Sequence, residues 1–358
     1  MHIKTFAVAA VGLGLVTLSA CGSSPSDKGS AGSKTVTLVS HNSWAASKSV
    51  IADFEKSSGY KVKVLEDGDA GQAVNKAILT KDNPQGDVFF GVDNTLLSRA
   101  LDNGLFQQYE PKGADLVLPQ YRVDEAKHRV TPIDTGDICV NYDKKYFADH
   151  KLTPPASFDD LIKPEYRNLL VTENAATSSP GLGFLLGTAA KYGDQGWQDY
   201  WKKLKANGVK VVDGWEQAYN QEFSGSAGGR KAKGDRPLVV SYASSPPAEV
   251  IYADPRPKTA PTGVAQGTCF RQVEYAGLLS NARNTEGGKA FLDFLITKKF
   301  QDDMPLNMFV YPVRDGAQVP AEFAEYGPQA KNPETLAPDR IAANRDQWVK
   351  SWTSLVLR

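Results

Sequence analysis

Short β-branched runs alternate along the chain with stretches whose apolar positions recur every three or four residues, the pattern of strands feeding amphipathic helices. Thr35-Val36-Thr37-Leu38-Val39 reads as a strand. Ser43 is placed to cap a helix carrying Ala46, Val50, Ile51 and Phe54 and ending near Gly59. Lys61 to Leu65 gives a second strand, 71–81 a helix, Asp87 to Val92 a third strand and Leu96 to Leu105 another helix. The middle of the chain continues the theme: a strand at Leu169–Val171, a helix from Pro180 to Tyr192, an amphipathic stretch from Trp197 to Lys205, strands at 209–212 and 238–242, and a helix around 216–223 between them. Residues 287–300 and 338–354 are helical in pattern. Strands interleaved with helices predict an α/β fold, and the length suits two lobes with a ligand cleft at their junction.

The first twenty residues stand outside this pattern. A lysine at position 4 precedes thirteen uncharged residues, Phe6 to Leu18, too few to span a bilayer and typical of a secretory signal. The run ends in Leu18-Ser19-Ala20-Cys21, which resembles the bacterial lipobox and marks Cys21 for lipidation, with 1–20 as the leader. Residues 21–34 (CGSSPSDKGSAGSK) hold no large apolar side chain and read as a flexible tether. The protein is thus expected to be exported and lipid-anchored to the outer face of the cell membrane, held by acyl chains rather than by a spanning helix.

Forty-one basic residues against forty-one acidic ones remove the electrostatic footprint of a nucleic-acid binder. The histidines, at 2, 41, 128 and 150, have no metal-ligand spacing. There is no nucleophile elbow, phosphate-binding loop or Cys-x-x-Cys, so no catalytic, metal or cofactor site is expected. Cys139 and Cys269 remain after Cys21; in an oxidising compartment they are a candidate disulfide, the alternative being two separate buried thiols. Ser224 to Arg236 is glycine-rich and basic and reads as an exposed loop.

Six segments carry a family resemblance: Leu65-Glu66-Asp67-Gly68, Gly91 to Leu97, Ser178 to Gly183, Gly214-Trp215 to Tyr219, Val240 to Pro246 and Val310 to Val313. In this order they resemble the thiamine-binding substrate-binding proteins and lipoproteins of bacterial ABC importers. The resemblance implies a two-lobed type II periplasmic-binding fold, each lobe a mixed sheet flanked by helices. One lobe would hold 35–133 and 266–312, the other 134–265 and 313–358, with hinge strands near Cys139 and Cys269. It implies a monomeric, non-enzymatic receptor that closes on thiamine, thiamine monophosphate or thiamine diphosphate and delivers it to a permease and its ATPase.

Carried over by position, ligand contacts fall at Asp67, Gly68, Ser178, Ser179, Trp215, Tyr242, Ala243, Ser244 and Ser245. His41 stands where relatives have Tyr, and Phe309 where they have Trp. The chemistry of these residues agrees with the resemblance. An aspartate accepts from an aminopyrimidine, and indole and phenol faces suit a cationic ring. Ser178-Ser179-Pro180 is a helix start whose N–H groups suit a phosphate. Trp44 and Tyr219 are secondary stacking candidates. The rival readings are a receptor for ferric iron, a polyamine or a phosphonate, and a secreted thiamine-processing enzyme using one of the two cysteines as nucleophile.

Overall fold

The computed structural model describes residues 34–226 and 234–358. The leader, the tether up to residue 33, Cys21 and the centre of the basic loop therefore lie outside the described residues.

Among the described residues nine strands form the framework: β1 (Thr35–Ser40), β2 (Lys61–Glu66), β3 (Val88–Asp93), β4 (Thr131–Asp143), β5 (Leu170–Glu173), β6 (Lys210–Val212), β7 (Leu238–Tyr242), β8 (Thr262–Leu278) and β9 (Tyr311–Pro312). The helices are α1 (Lys48–Ser58), α2 (Ala70–Leu79), α3 (Leu97–Asp102), α4 (Lys144–Asp149), α5 (Phe158–Leu161) and α6 (Ser179–Ala206). They continue with α7 (Trp215–Gln217), α8 (Ala248–Ile251), α9 (Thr285–Leu295), α10 (Lys298–Asn307), α11 (Ala321–Tyr326) and α12 (Pro338–Val356).

The sheet order is β2-β1-β3-β8-β4-β7-β5-β6, with β9 on β4. Its outer thirds, β2-β1-β3 and β7-β5-β6, contain parallel pairs and β-α-β connections, while β8 joins β3 and β4 antiparallel. The long strands β4 and β8 run through both halves, so that the two lobes share their central strands. β3 is buried along its whole length, as expected of a strand covered by helices on both faces.

Cys139 and Cys269 are disulfide-bonded between β4 and β8, close to where their register shifts. After β9 the chain stays beside the first lobe: the Leu118 N–H donates to the Val313 carbonyl and the Gln318 N–H to Asp302. It reaches the second lobe only at α11, where Arg256 pairs with Glu322. α12 then packs against α6 of the second lobe and α3 of the first.

Local sequence explains most element ends. Gly59, at φ 76°, closes α1 in the left-handed conformation that glycine alone takes without strain. Asp69 caps α2 in a reciprocal arrangement with Gln72. α6 carries one non-helical residue, Gly193, which separates the two predicted stretches. Three expectations shift. α1 begins at Lys48, with Ser47 rather than Ser43 at its cap position. The predicted helix at 287–300 is two helices, broken where Thr297 caps α10. The segment after Trp215 turns into a π-helix over Ala218–Glu222.

Candidate functional site

The strand ends and helix starts of the two lobes meet around two adjoining cavities. His41, Asp69, Ser179, Pro180, Tyr242, Glu274 and Val310 line the inner one, of about 50 Å³. Asn42, Trp44, Glu216, Tyr219, Glu249 and Tyr252 are among those lining the outer one, of about 610 Å³. Ser43, Trp215, Ser245, Met308 and Phe309 line both, so the two are continuous. The outer chamber falls within the roughly 300–1,000 Å³ of small-molecule sites.

Trp215 is the central aromatic wall. Its ring stacks on Tyr219 with centroids 5.0 Å apart at 16°, and its indole N–H donates to Ser241 Oγ at 2.9 Å. The Trp215 backbone N–H donates to Asp69 Oδ2 at 2.8 Å, tying α7 of the second lobe to α2 of the first. Other hydrogen bonds cross the same seam. The Gln72 N–H donates to the Thr177 carbonyl at 3.1 Å, Ser43 Oγ to Glu216 at 3.2 Å, and Ser179 Oγ to Asp93. The lobes are closed on one another. Gly71 permits this approach: a Cβ there would sit 2.7 Å from the Thr177 carbonyl oxygen.

The floor of the inner cavity is acidic. Asp93, fully buried at the end of β3, accepts from Thr95, Leu96, Ser179 and Gln272, bonds that oppose but do not cancel the rise in pKa that burial causes. Burial likewise raises Asp69, against hydrogen bonds from the Trp215 and Ala70 N–H groups and the nearby His41. Asp134 faces Glu274 across the β4–β8 pairing, and burial followed by Glu274 pushes its pKa well above the usual carboxyl range.

Against these acids stands His41. Its Nδ1 accepts from the Ser43 N–H at 3.2 Å and its Nε2 lies 3.4 Å from Glu274. Burial alone would lower its pKa, but Glu274, Asp69 and Asp93 together raise it. Gly91, at φ 98°, makes room for this ring. Burial first, then the carboxylates Glu274, Asp69 and Asp93, keep the Tyr242 phenol protonated as a donor. Phe309 holds a left-handed φ of 56°, a strained conformation of the kind that clusters at ligand sites, with its ring against Tyr252 at 5.4 Å.

The structure thus brings Ser179, Trp215, Tyr242, Ser245, His41 and Phe309 together on one cavity, with Trp44 and Tyr219 around its outer part. Other expected residues stand back from it. Asp67 is ion-paired to Lys76 on α2, away from the lining. Gly68, at φ 89°, turns the chain between them so that Asp69 presents the acid instead. Ser178 stands at the N-cap position of α6, behind the lining, with its hydroxyl buried and no side-chain cap bond. Ala243 and Ser244 are buried behind the lining, Ala243 against the disulfide. Sequence reasoning missed Glu274, Met308 and Glu249. The signal for Glu274 was an acid inside an otherwise apolar strand, Val273-Glu274-Tyr275-Ala276.

Comparison with known proteins gives a consistent picture. Residues 83–246 match the family model of bacterial extracellular solute-binding proteins. The thiamine-binding periplasmic protein of Salmonella typhimurium is 29% identical over 315 residues, 88% of this chain and 90% of that protein. The solved structure of a periplasmic thiamin binding protein superposes with a TM-score of 0.78 at 27% identity, covering 90% of this chain and 96% of that one. The ferric binding protein from Campylobacter jejuni shares the fold, with a TM-score of 0.69 at 18% identity over 89% and 99% of the two chains.

Proposed function

We propose that this chain, which has the two-lobed periplasmic-binding fold, is an exported solute-binding component of ABC import rather than an enzyme, and that its solute is thiamine. The observation that carries the reading is the indole of Trp215, set on a continuous cavity with Tyr242 and Phe309 and flanked by the carboxyls of Asp69 and Glu274. A flat cation placed over an indole gains roughly 0.5–2 kcal/mol, the more so when water is excluded. Asp69 and the Ser179 and Ser245 hydroxyls offer the aminopyrimidine its polar partners. The full-length likeness to proteins named as thiamine-binding supports the same assignment.

Capture works by closure. Ligand touching Asp69 on one lobe and Trp215 on the other favours the closed state by its extra contacts there, and the closed shape is what a permease and its ATPase distinguish. Delivery to such a permease, action as a monomer, and lipid attachment through Cys21 are parts of the proposal. The thiamine phosphates belong to the same ligand class, but phosphate reverses the ligand's net charge.

Calorimetric titration of the mature protein with thiamine, ferric citrate and spermidine tests this reading. Saturable binding of thiamine with quenching of tryptophan fluorescence is expected. Binding of iron or the polyamine without binding of thiamine would end it. For the anchor, a Cys21→Ala variant should lose acyl labelling and appear in the soluble exported fraction; retention of label would count against the site.

A further inference from the structure

We propose that Gln272 is a positioning residue for solute capture: its side-chain amide joins Asp93 of one lobe to Ser179 of the other and fixes the closed cleft without touching the ligand. The inference rests on the reading of this chain as a receptor that closes on thiamine.

Gln272 lies on β8, a strand that both lobes share, opposite Gly136 of β4, and its carbonyl accepts from Thr135 Oγ1 at 2.7 Å. Its side chain is buried and lines neither cavity. A carboxamide nitrogen carries two hydrogens. Here Nε2 meets two acceptors, Asp93 Oδ2 and Ser179 Oγ, each at 2.8 Å. Ser179 Oγ in turn donates to Asp93 Oδ2, so the three buried side chains close a ring of hydrogen bonds.

Asp93 divides its two oxygens between the lobes. Oδ1 serves its own, accepting from the Thr95 N–H at 3.0 Å, the Thr95 hydroxyl and the Leu96 N–H. Oδ2 is given to Ser179 and Gln272. Ser179 is the first residue of α6 in the second lobe, so parting the lobes withdraws it from the ring and leaves buried polar atoms short of a partner. The ring also settles the Ser179 hydroxyl. Its proton goes to Asp93 and one lone pair to Gln272, which leaves the second lone pair for a donor in the inner cavity that Ser179 lines. Without the Gln272 amide, that aim is lost and Asp93 Oδ2 loses one of its two donors.

Stopped-flow tryptophan fluorescence on the full mature protein tests this with Gln272→Met, which keeps the length of the side chain and removes both donors. Thiamine should leave this variant about tenfold faster, the effect of withdrawing a hydrogen bond from a buried acid, while its association rate changes by less than about twofold. Gln272→Glu sets an acid against Asp93 in place of the amide; it should also release thiamine faster, and it guards against a folding defect in the first variant. A double-mutant cycle with Ser179→Ala supplies the readout that a merely structural role would not move. The two substitutions together should cost less thiamine affinity than the product of their separate fold-losses, because each breaks the same ring. A folded Gln272 variant that releases thiamine at the unaltered rate, or losses that simply multiply in the cycle, would overturn the inference while leaving thiamine as the ligand. If the unaltered protein does not bind thiamine, the functional reading falls and this inference with it.

Discussion

Asp134 and Glu274 sit opposite each other on adjacent strands, and burial with this neighbour holds Asp134 well above its unfolded pKa. Between the unfolded and folded values the native state binds more protons than the unfolded chain, so this residue's contribution to stability declines as pH rises through that window. Asp134→Asn should therefore raise the melting temperature at pH 7.5 and do so less at pH 4, by roughly 2–4 °C for each kcal/mol relieved. Scanning calorimetry at both pH values checks this; an equal shift at the two would contradict the assignment. Trp215→Ala should weaken thiamine about tenfold or more while leaving the melting temperature nearly unchanged, because the indole is a wall of the cavity and only part-buried. The aromatic members of the site were legible in the sequence because Trp215 and Tyr242 stand in short motifs and Phe309 directly precedes one. Its acids were less so. Which of Asp67 and Asp69 faces the cavity depends on the left-handed turn at Gly68, and spacing alone does not reveal that turn.

The elements that make up the outer sheets announce themselves through β-branched runs and caps, and their positions differ from expectation by a few residues at most. The two long central strands do not. β4 reads Thr-Pro-Ile-Asp-Thr-Gly-Asp-Ile-Cys-Val-Asn-Tyr-Asp, with no clean alternation, because it is buried on both faces nearly end to end, and Thr135, Asp137 and the Asn141 amide nitrogen find partners on β8, at Tyr242 and at Ala330. Only Cys139 and Cys269 hinted at the pairing, through the compartment in which they must exist. Their bond closes a sequence separation of 130 residues. Replacing both with serine should cost about 2–4 kcal/mol of stability, read as a lowered denaturation midpoint, with a much smaller effect on thiamine affinity. A loss of affinity that exceeds the loss of stability would mean that the bridge shapes the cleft as well as the strands.

On the scale of the molecule, closure depends on how near the backbones can come. The Gly71 contact with Thr177 is one of the tightest points of the seam, and a methyl group there forces the lobes apart. Gly71→Ala should lower thiamine affinity about tenfold, the effect of overpacking by some 1–3 kcal/mol, and small-angle scattering should show incomplete compaction at saturating ligand. Unchanged affinity and compaction would show that the seam yields elsewhere.

The sharing of β4 and β8 sets a limit on how such a molecule can be taken apart or rebuilt. Neither half possesses a complete sheet, so a gene divided at the waist would yield two fragments with raw strand edges that associate or precipitate rather than fold. Heating should melt both halves in a single event. A new ligand preference must then arise by exchanging side chains around the mouth, since borrowing an entire half from another receptor would tear the common framework in two.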